Sequence, residues 1–191
     1  MISGIGVSLG ALATQQRRMD ALADDAANVN TAGYRARGGA SRPESDAQGA
    51  LVETGQPLDL AIEGDGWFAV TSGAAQPALT RAGVFEVDGN GQIVTRSGER
   101  LVPPVQLPPG ADASSVVIAP DGAVTVGGSK VGQIQLTGGS GKIRQGALES
   151  SNVDIADTTV GEIETSTSYA AALQALHVQD DMWASLLDLR A

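Results

Sequence analysis

The sequence predicts a mixed, mainly β fold: a small all-β domain flanked by N- and C-terminal amphipathic helices that pack together as a coiled-coil-like pair in an assembly. Three observations predict it. Apolar residues at three-and-four spacing mark both ends of the chain, short apolar runs between glycine-rich turn signals fill the middle, and no helical pattern interrupts those runs.

At the N-terminal end the apolar positions are Ile5, Leu9, Leu12, Met19, Leu22, Ala26 and Val29, one face of a helix. Thr14, Gln15, Gln16, Arg17, Arg18, Asp20, Asp24 and Asp25 form its polar back. Asn28-Val29-Asn30-Thr31-Ala32-Gly33 then offers the Asn and Gly that end a helix and open a turn, so residues 1–34 are read as helix and turn. Ile2 to Ala13 is mildly apolar and ends in small residues, as a secretory leader would. No basic residue precedes it, however, and the helical periodicity runs on past Ala13, so cleavage of a signal peptide is not expected.

Residues 35–57 are polar and rich in Gly, Ala and Ser, which predicts a linker or extended arm. Residues 58–145 are read as the β domain. Its strands are expected at Leu58–Ile62, Trp67–Thr71, Val84–Val87, Ile93–Thr95, Val116–Ile118, Val124–Val126 and Val131–Leu136. Gly64-Asp65-Gly66, Asp88-Gly89-Asn90-Gly91 and Asp121-Gly122 supply the positive φ that tight hairpins need. A connecting segment follows at 146–157, and a second helix at 158–191. The apolar positions of that helix are Val160, Ile163, Ala170, Leu173, Leu176, Trp183 and Leu187, with Asp157, Thr158 or Thr159 as its N-cap.

Composition narrows the function. The 191 residues carry 12 Lys and Arg against 22 Asp and Glu, a net charge of −10, so nothing favours displacing the counterions of a nucleic acid. There is no cysteine and one histidine, His177, which leaves no thiolate zinc site, thiol nucleophile or His-rich metal site. No stretch approaches the roughly 20 apolar residues of a membrane span.

Candidate chemistry falls away on inspection. Gly138-Gly139-Ser140-Gly141-Lys142 lacks the first glycine and the final hydroxyl of a phosphate loop and is read as a flexible surface loop. The glycines of Gly4-Ile5-Gly6 are wrongly spaced for a dinucleotide fingerprint. Asp88-Gly89-Asn90 begins like a calcium loop but has Ile93 where that loop needs glycine. Glu53, Asp59, Glu63 and Asp65 could pair for glycoside cleavage, yet strand alternation sends Asp59, Ala61 and Glu63 to the face opposite Leu58, Leu60 and Ile62, a solvated one. No catalytic residue, cofactor or metal is therefore expected.

What remains is an architecture whose joints are distinctive. The N-terminal helix with Asn28, Asn30, Thr31, Gly33 and Tyr34 resembles the N-terminal signature of the flagellar basal-body rod and hook family. Gln56 to Val70, including Asp59, Gly64, Gly66, Trp67 and Phe68, is similar to that family's central strand motif. Thr80-Arg81-Ala82-Gly83-Val84-Phe85 and Asp88 to Thr95 look like the next strands and their turn. Gly146-Ala147-Leu148-Glu149-Ser150-Ser151-Asn152-Val153-Asp154 resembles the approach to the family's last helix. Asp24-Asp25 replaces the paired asparagines usual before Asn28, and Thr167-Ser168 replaces the arginine common near Tyr169.

The resemblance implies a structural subunit of a tubular axial assembly, with the terminal helices in an inner tube and the β domain outside. The implied partners are other copies of the chain, other rod and hook subunits, and the flagellar type III export apparatus, which removes no signal peptide. Location in the periplasm-spanning rod of the basal body follows from the same source. The two helix stripes are the expected assembly surface, and both ends are expected to be largely disordered in the monomer and to order on incorporation. A short hook subunit is the alternative within the family. A secreted protein that binds or hydrolyses cell-wall glycan is the alternative outside it.

Overall fold

A computed structural model describes residues 3–37, 47–73 and 76–188, with side chains described from residue 10 to residue 178 of these, and Met182. Helix α1 spans Ser3–Ala27 and helix α2 spans Ile155–Asp188. Among the described residues thirteen strands lie between them: β1 (Leu51–Glu53), β2 (Leu60–Glu63), β3 (Trp67–Thr71), β4 (Ala78–Thr80), β5 (Phe85–Val87), β6 (Ile93–Thr95), β7 (Arg100–Leu101), β8 (Val116–Ile118), β9 (Ala123–Val126), β10 (Ser129–Gln133), β11 (Leu136–Thr137), β12 (Lys142–Gln145) and β13 (Ala147–Glu149). The helices and residues 35–37 form one unit, and residues 30–34 and 47–152 form the other.

In the β unit the strands group as β11-β3-β7-β6-β5 with β4 also on β3, as β10-β9-β8, as β12-β2 and as β1-β13. All pairings are antiparallel. Alternation buries Leu58, Leu60 and Ile62 together with Phe68 and Val70, and the two phenyl rings of Phe68 and Phe85 meet edge to face at 5.3 Å. Val, Ile and Leu from β6 through β12 complete the core, as a chain with two Phe and two Trp requires. The turn before β6 closes on Asp88, whose carboxylate accepts the Gln92 and Asn90 amide N–H groups. Those bonds, Gln92 first, hold the Asp88 carboxyl below its ordinary range.

Strand placement departs from the expectation where the strands are short. Leu51–Glu53 lies inside the expected linker yet pairs with β13, which itself lies inside the expected connecting segment. Neither stretch alternates over enough residues to be seen alone, and each exists because the other is there. The same holds for β4, β7 and β12. The stretch Gly138 to Gly141 is not a loose loop. The Gly141 amide donates to the Asp65 carbonyl at 2.7 Å, and a Cβ on Gly139 would stand 2.3 Å from the Asp65 carbonyl carbon. Ala61, expected on a solvated face, is buried, on a strand that β12 pairs along one edge and that β13 contacts.

In the helical unit, α1 turns Leu12, Met19, Leu22 and Ala26 to its less exposed side, with Leu22 buried and Val29 half-buried in the turn beyond; Asp25, expected on the polar back, is buried as well. The side of α2 that meets it is not the predicted stripe. Thr158, Gly161 and Thr165 are the buried residues there, and Leu22 packs so closely on Gly161 that an added Cβ would lie 3.1 Å from a leucine methyl. Val160, Ile163, Ala170 and Leu173 are exposed instead, while Leu176 is half-buried. The reason is size: glycine and threonine let two backbones approach closely, and each threonine hydroxyl is satisfied by the carbonyl four residues back. The N-cap is Asp154, which accepts the Ala156 amide at 2.8 Å, so α2 begins three residues before the expected start.

Candidate functional site

Five of the motif residues scattered along the sequence converge on one buried ion pair in the β unit. The Arg81 Nη1 donates to Glu149 Oε2 at 3.0 Å, and both side chains are almost wholly shielded from solvent, 3% and 2% exposed. Arg81 Nη2 donates to the Gly64 carbonyl at 2.9 Å, and its guanidinium stands 5.3 Å from the Trp67 ring centre. On the other side, the Gly49 amide donates to Glu149 Oε1 at 3.1 Å.

The Asn-rich turn closes against the same pair. The Gly33 amide donates to the Glu149 carbonyl at 2.7 Å, with Gly33 at φ +70° and its Cα pressed on the Arg81 backbone. Only glycine fits there, both for conformation and for space. The Asn152 amide donates to the Tyr34 carbonyl at 3.3 Å, and its side-chain Nδ2 donates to the Ala47 carbonyl at 2.9 Å. Gly64, at φ +95°, takes the Gln48 side-chain oxygen on its amide. Five separate stretches of chain thus share one electrostatic anchor. Burial of two charges costs several kcal/mol per ion unless they are paired and hydrogen-bonded, and here each has a partner on either side.

Of the residues singled out from sequence, Gly33, Tyr34, Gly64, Trp67 and Asn152 meet in this cluster. Asp59 lies away from it: its Oδ2 accepts the Thr54 hydroxyl at 2.6 Å and its carbonyl accepts the Gly146 amide. Phe68 is in the core and Gly66, at φ +133°, abuts Leu136. Asn28 ends α1 with its side-chain amide on the Asp24 carbonyl, while Asn30 and Thr31 are exposed and Ser151 and Val153 are half-buried. The side chains of Ile5, Leu9, Trp183 and Leu187 lie outside the described residues. Sequence reasoning does not single out Arg81 or Glu149. Their signal is there nonetheless: Arg81 is the one charged residue of Thr80 to Phe85, and Glu149 is one of two in Gly146 to Asp154.

The acids that might have served catalysis are dispersed. Glu53 pairs with Arg144 at 2.6 Å, Glu63 and Asp65 are exposed, and among the described residues no cluster of His, Asp or Glu could hold a metal ion. No described helix is long and apolar enough to cross a membrane.

Three family models match the chain in order. Residues 5–35 match the flagella basal body rod protein model, 61–126 the flagellar hook protein FlgE/F/G D1 domain, and 144–189 the flagellar basal body rod FlgEFG protein C-terminal model. Curated relatives agree. The flagellar basal-body rod protein FlgF of Mesorhizobium japonicum is 35% identical over 144 residues, covering 60% of this chain and 59% of that protein. FlgF of Rhizobium meliloti is 33% identical, covering 71% and 65%. The chain thus spans less than two thirds of either FlgF. FlgG of Buchnera aphidicola subsp. Schizaphis graminum is 27% identical and aligned over 99% of this chain and all of its own length. That alignment runs over 262 positions against 191 residues here, so the relative carries segments this chain lacks.

Proposed function

The chain belongs to the flagellar basal-body rod and hook family, whose members are structural proteins, and from that premise we propose that it is a subunit of the rod that polymerises through its terminal helices. The observation that carries the mechanism is the outward side of α2, where Ile155, Val160, Ile163, Leu173 and Val178 stand exposed on a helix whose inward side is already occupied by α1. Apolar surface of this extent is stabilised by covering it. Repetition of such a contact around an axis builds a tube that can carry torque.

The thin seam between the helices supports ordering on incorporation. The buried seam residues of α2, Thr158, Gly161 and Thr165, offer Leu22 less apolar surface than Leu or Ile would, and covering by neighbours adds to the pair's stability. The partners are other copies and other rod subunits, reached through the flagellar export apparatus, with the chain resident in the rod of the basal body. The names of its relatives favour a rod position over the hook.

Electron microscopy of hook–basal bodies from a strain lacking this chain tests the role. Loss or truncation of the rod is expected. Loss of the hook alone would assign the chain to the hook, and an intact structure would remove it from the axial assembly.

A further inference from the structure

Strand alternation puts Gln145 on the same side of β12 as the buried Ile143, while Lys142 and Arg144 are exposed on the other. An apolar residue is the ordinary occupant of such a position, since an amide taken out of water costs free energy unless its polar groups find partners. The Gln145 amide finds three. Its Oε1 accepts the Ile118 N–H at 3.0 Å, and its Nε2 donates to the Val116 carbonyl at 2.7 Å and to the Pro57 carbonyl at 2.8 Å. The reverse orientation would set N–H against N–H and oxygen against two carbonyls, so the partners fix which atom lies where.

The Val116 carbonyl and the Ile118 N–H lie on the edge of β8 opposite β9, and among the described residues no strand pairs with that edge. One side chain from β12 serves there as a further strand would, and its nitrogen also ties in Pro57 just before β2. Backbone bonds from Ile143 to the Pro120 carbonyl, at 3.0 Å, and from Ile134 to the Gly122 carbonyl, at 2.8 Å, fasten the turn between β8 and β9. Along β8 itself the tie to β12 is Gln145. We propose that this residue is a latch: its amide holds the sheet β8-β9-β10 against β12, and the sheet lifts away when the amide is lost. Without it the Val116 and Pro57 carbonyls and the Ile118 N–H are half-buried and unpartnered, and bringing water to them means moving β8 off β12. β9 and β10 go with β8, to which they are paired in series. The inference does not depend on the rod-subunit reading, because every group in it belongs to the β unit.

Amide hydrogen exchange of the full-length chain tests it at three positions. Ile118 bonds to the latch, Ile143 bonds across to Pro120 without touching the latch, and Val102 bonds within the larger sheet to the Ala69 carbonyl at 2.8 Å. In the natural chain Ile118 and Ile143 are expected to share one opening free energy, and Ile118 exchanging well ahead of Ile143 would overturn the proposal. Gln145→Leu keeps the bulk and removes all three bonds, so exchange at Ile118 and Ile143 rises together, by about ten- to a hundredfold, while Val102 keeps its rate. Gln145→Glu retains an acceptor for Ile118 but sets a carboxylate against two carbonyls, and it gives the same pattern. A rise at Ile118 alone would make Gln145 an ordinary local partner, and an equal rise at Val102 would place the loss in the whole β unit. Either result overturns the latch.

Discussion

Replacing Glu149 with alanine is expected to destabilise the β unit by about 3–5 kcal/mol, because it leaves the Arg81 guanidinium buried without its counter-charge. The Gly49 amide loses its acceptor in the same step. For a cooperative unit of this size the melting temperature falls by on the order of 15 °C. Glu149→Gln keeps an acceptor for Gly49 but still strands the positive charge, so its loss is smaller and still clearly measurable. The double variant Arg81→Met with Glu149→Leu removes both charges and is expected to be more stable than either single truncation, since the penalty comes from an unpaired charge rather than from loss of the pair itself. Urea unfolding of the full-length chain followed by Trp fluorescence measures all three. A loss under about 1 kcal/mol for Glu149→Ala would show that the pair does not anchor the surrounding segments.

Gly33→Ala is expected to act on the same cluster by a different route. A residue with a Cβ pays about 1–2 kcal/mol to hold a left-handed conformation, and here the added carbon would also stand 2.3 Å from the Arg81 carbonyl carbon and 2.4 Å from the Ala82 nitrogen. The Arg81 backbone, held in place by its buried ion pair, cannot step aside as a flexible side chain would. Residues 30–34 therefore detach, the Gly33 hydrogen bond to the Glu149 carbonyl is lost, and the Asn152 bond to Tyr34 goes with it. The expected cost is about 3 kcal/mol, most of it local. Amide hydrogen exchange distinguishes the two variants. Gly33→Ala speeds exchange at the substituted position and at Asn152 while leaving Phe68 and Val94 protected, whereas Glu149→Ala also lowers protection in the core strands. Unchanged exchange at residues 33 and 152 in the Gly33 variant would contradict the packing described.

These two variants also show where the sequence is readable and where it is not. Strands such as Trp67–Thr71, Ile93–Thr95 and Val116–Ile118 are legible because β-branched and aromatic residues cluster between glycine turns, and each reads from its own residues. The stripe of α1 is legible for the same kind of reason, since Leu12, Met19 and Leu22 are large and fall at helical spacings of seven and three. Leu51–Glu53 and Ala147–Glu149 are not, because two three-residue segments nearly 100 positions apart stabilise one another. The seam of α2 is hidden from any count of hydrophobic residues, as it is built from Thr158, Gly161 and Thr165 and leaves the large apolar residues outside. Arg81 and Glu149 are hidden by their charge. Such residues normally belong to the surface, and only the fold reveals that each supplies what the other needs to be buried.

Helix α2 has one side packed on α1 and an outward side proposed for assembly, and Leu173 distinguishes them. It sits on the outward side and not in the seam with Leu22, so Leu173→Asp places a charge where a neighbouring copy would dock without touching the α1 contact or the β unit. The measurement is the amount of this variant in basal bodies purified from a strain that has no other copy, set against the unfolding midpoint of the purified chain. The expected result is a chain whose β unit unfolds as before and which is missing from basal bodies with truncated rods. Natural amounts of the variant in complete rods would contradict it.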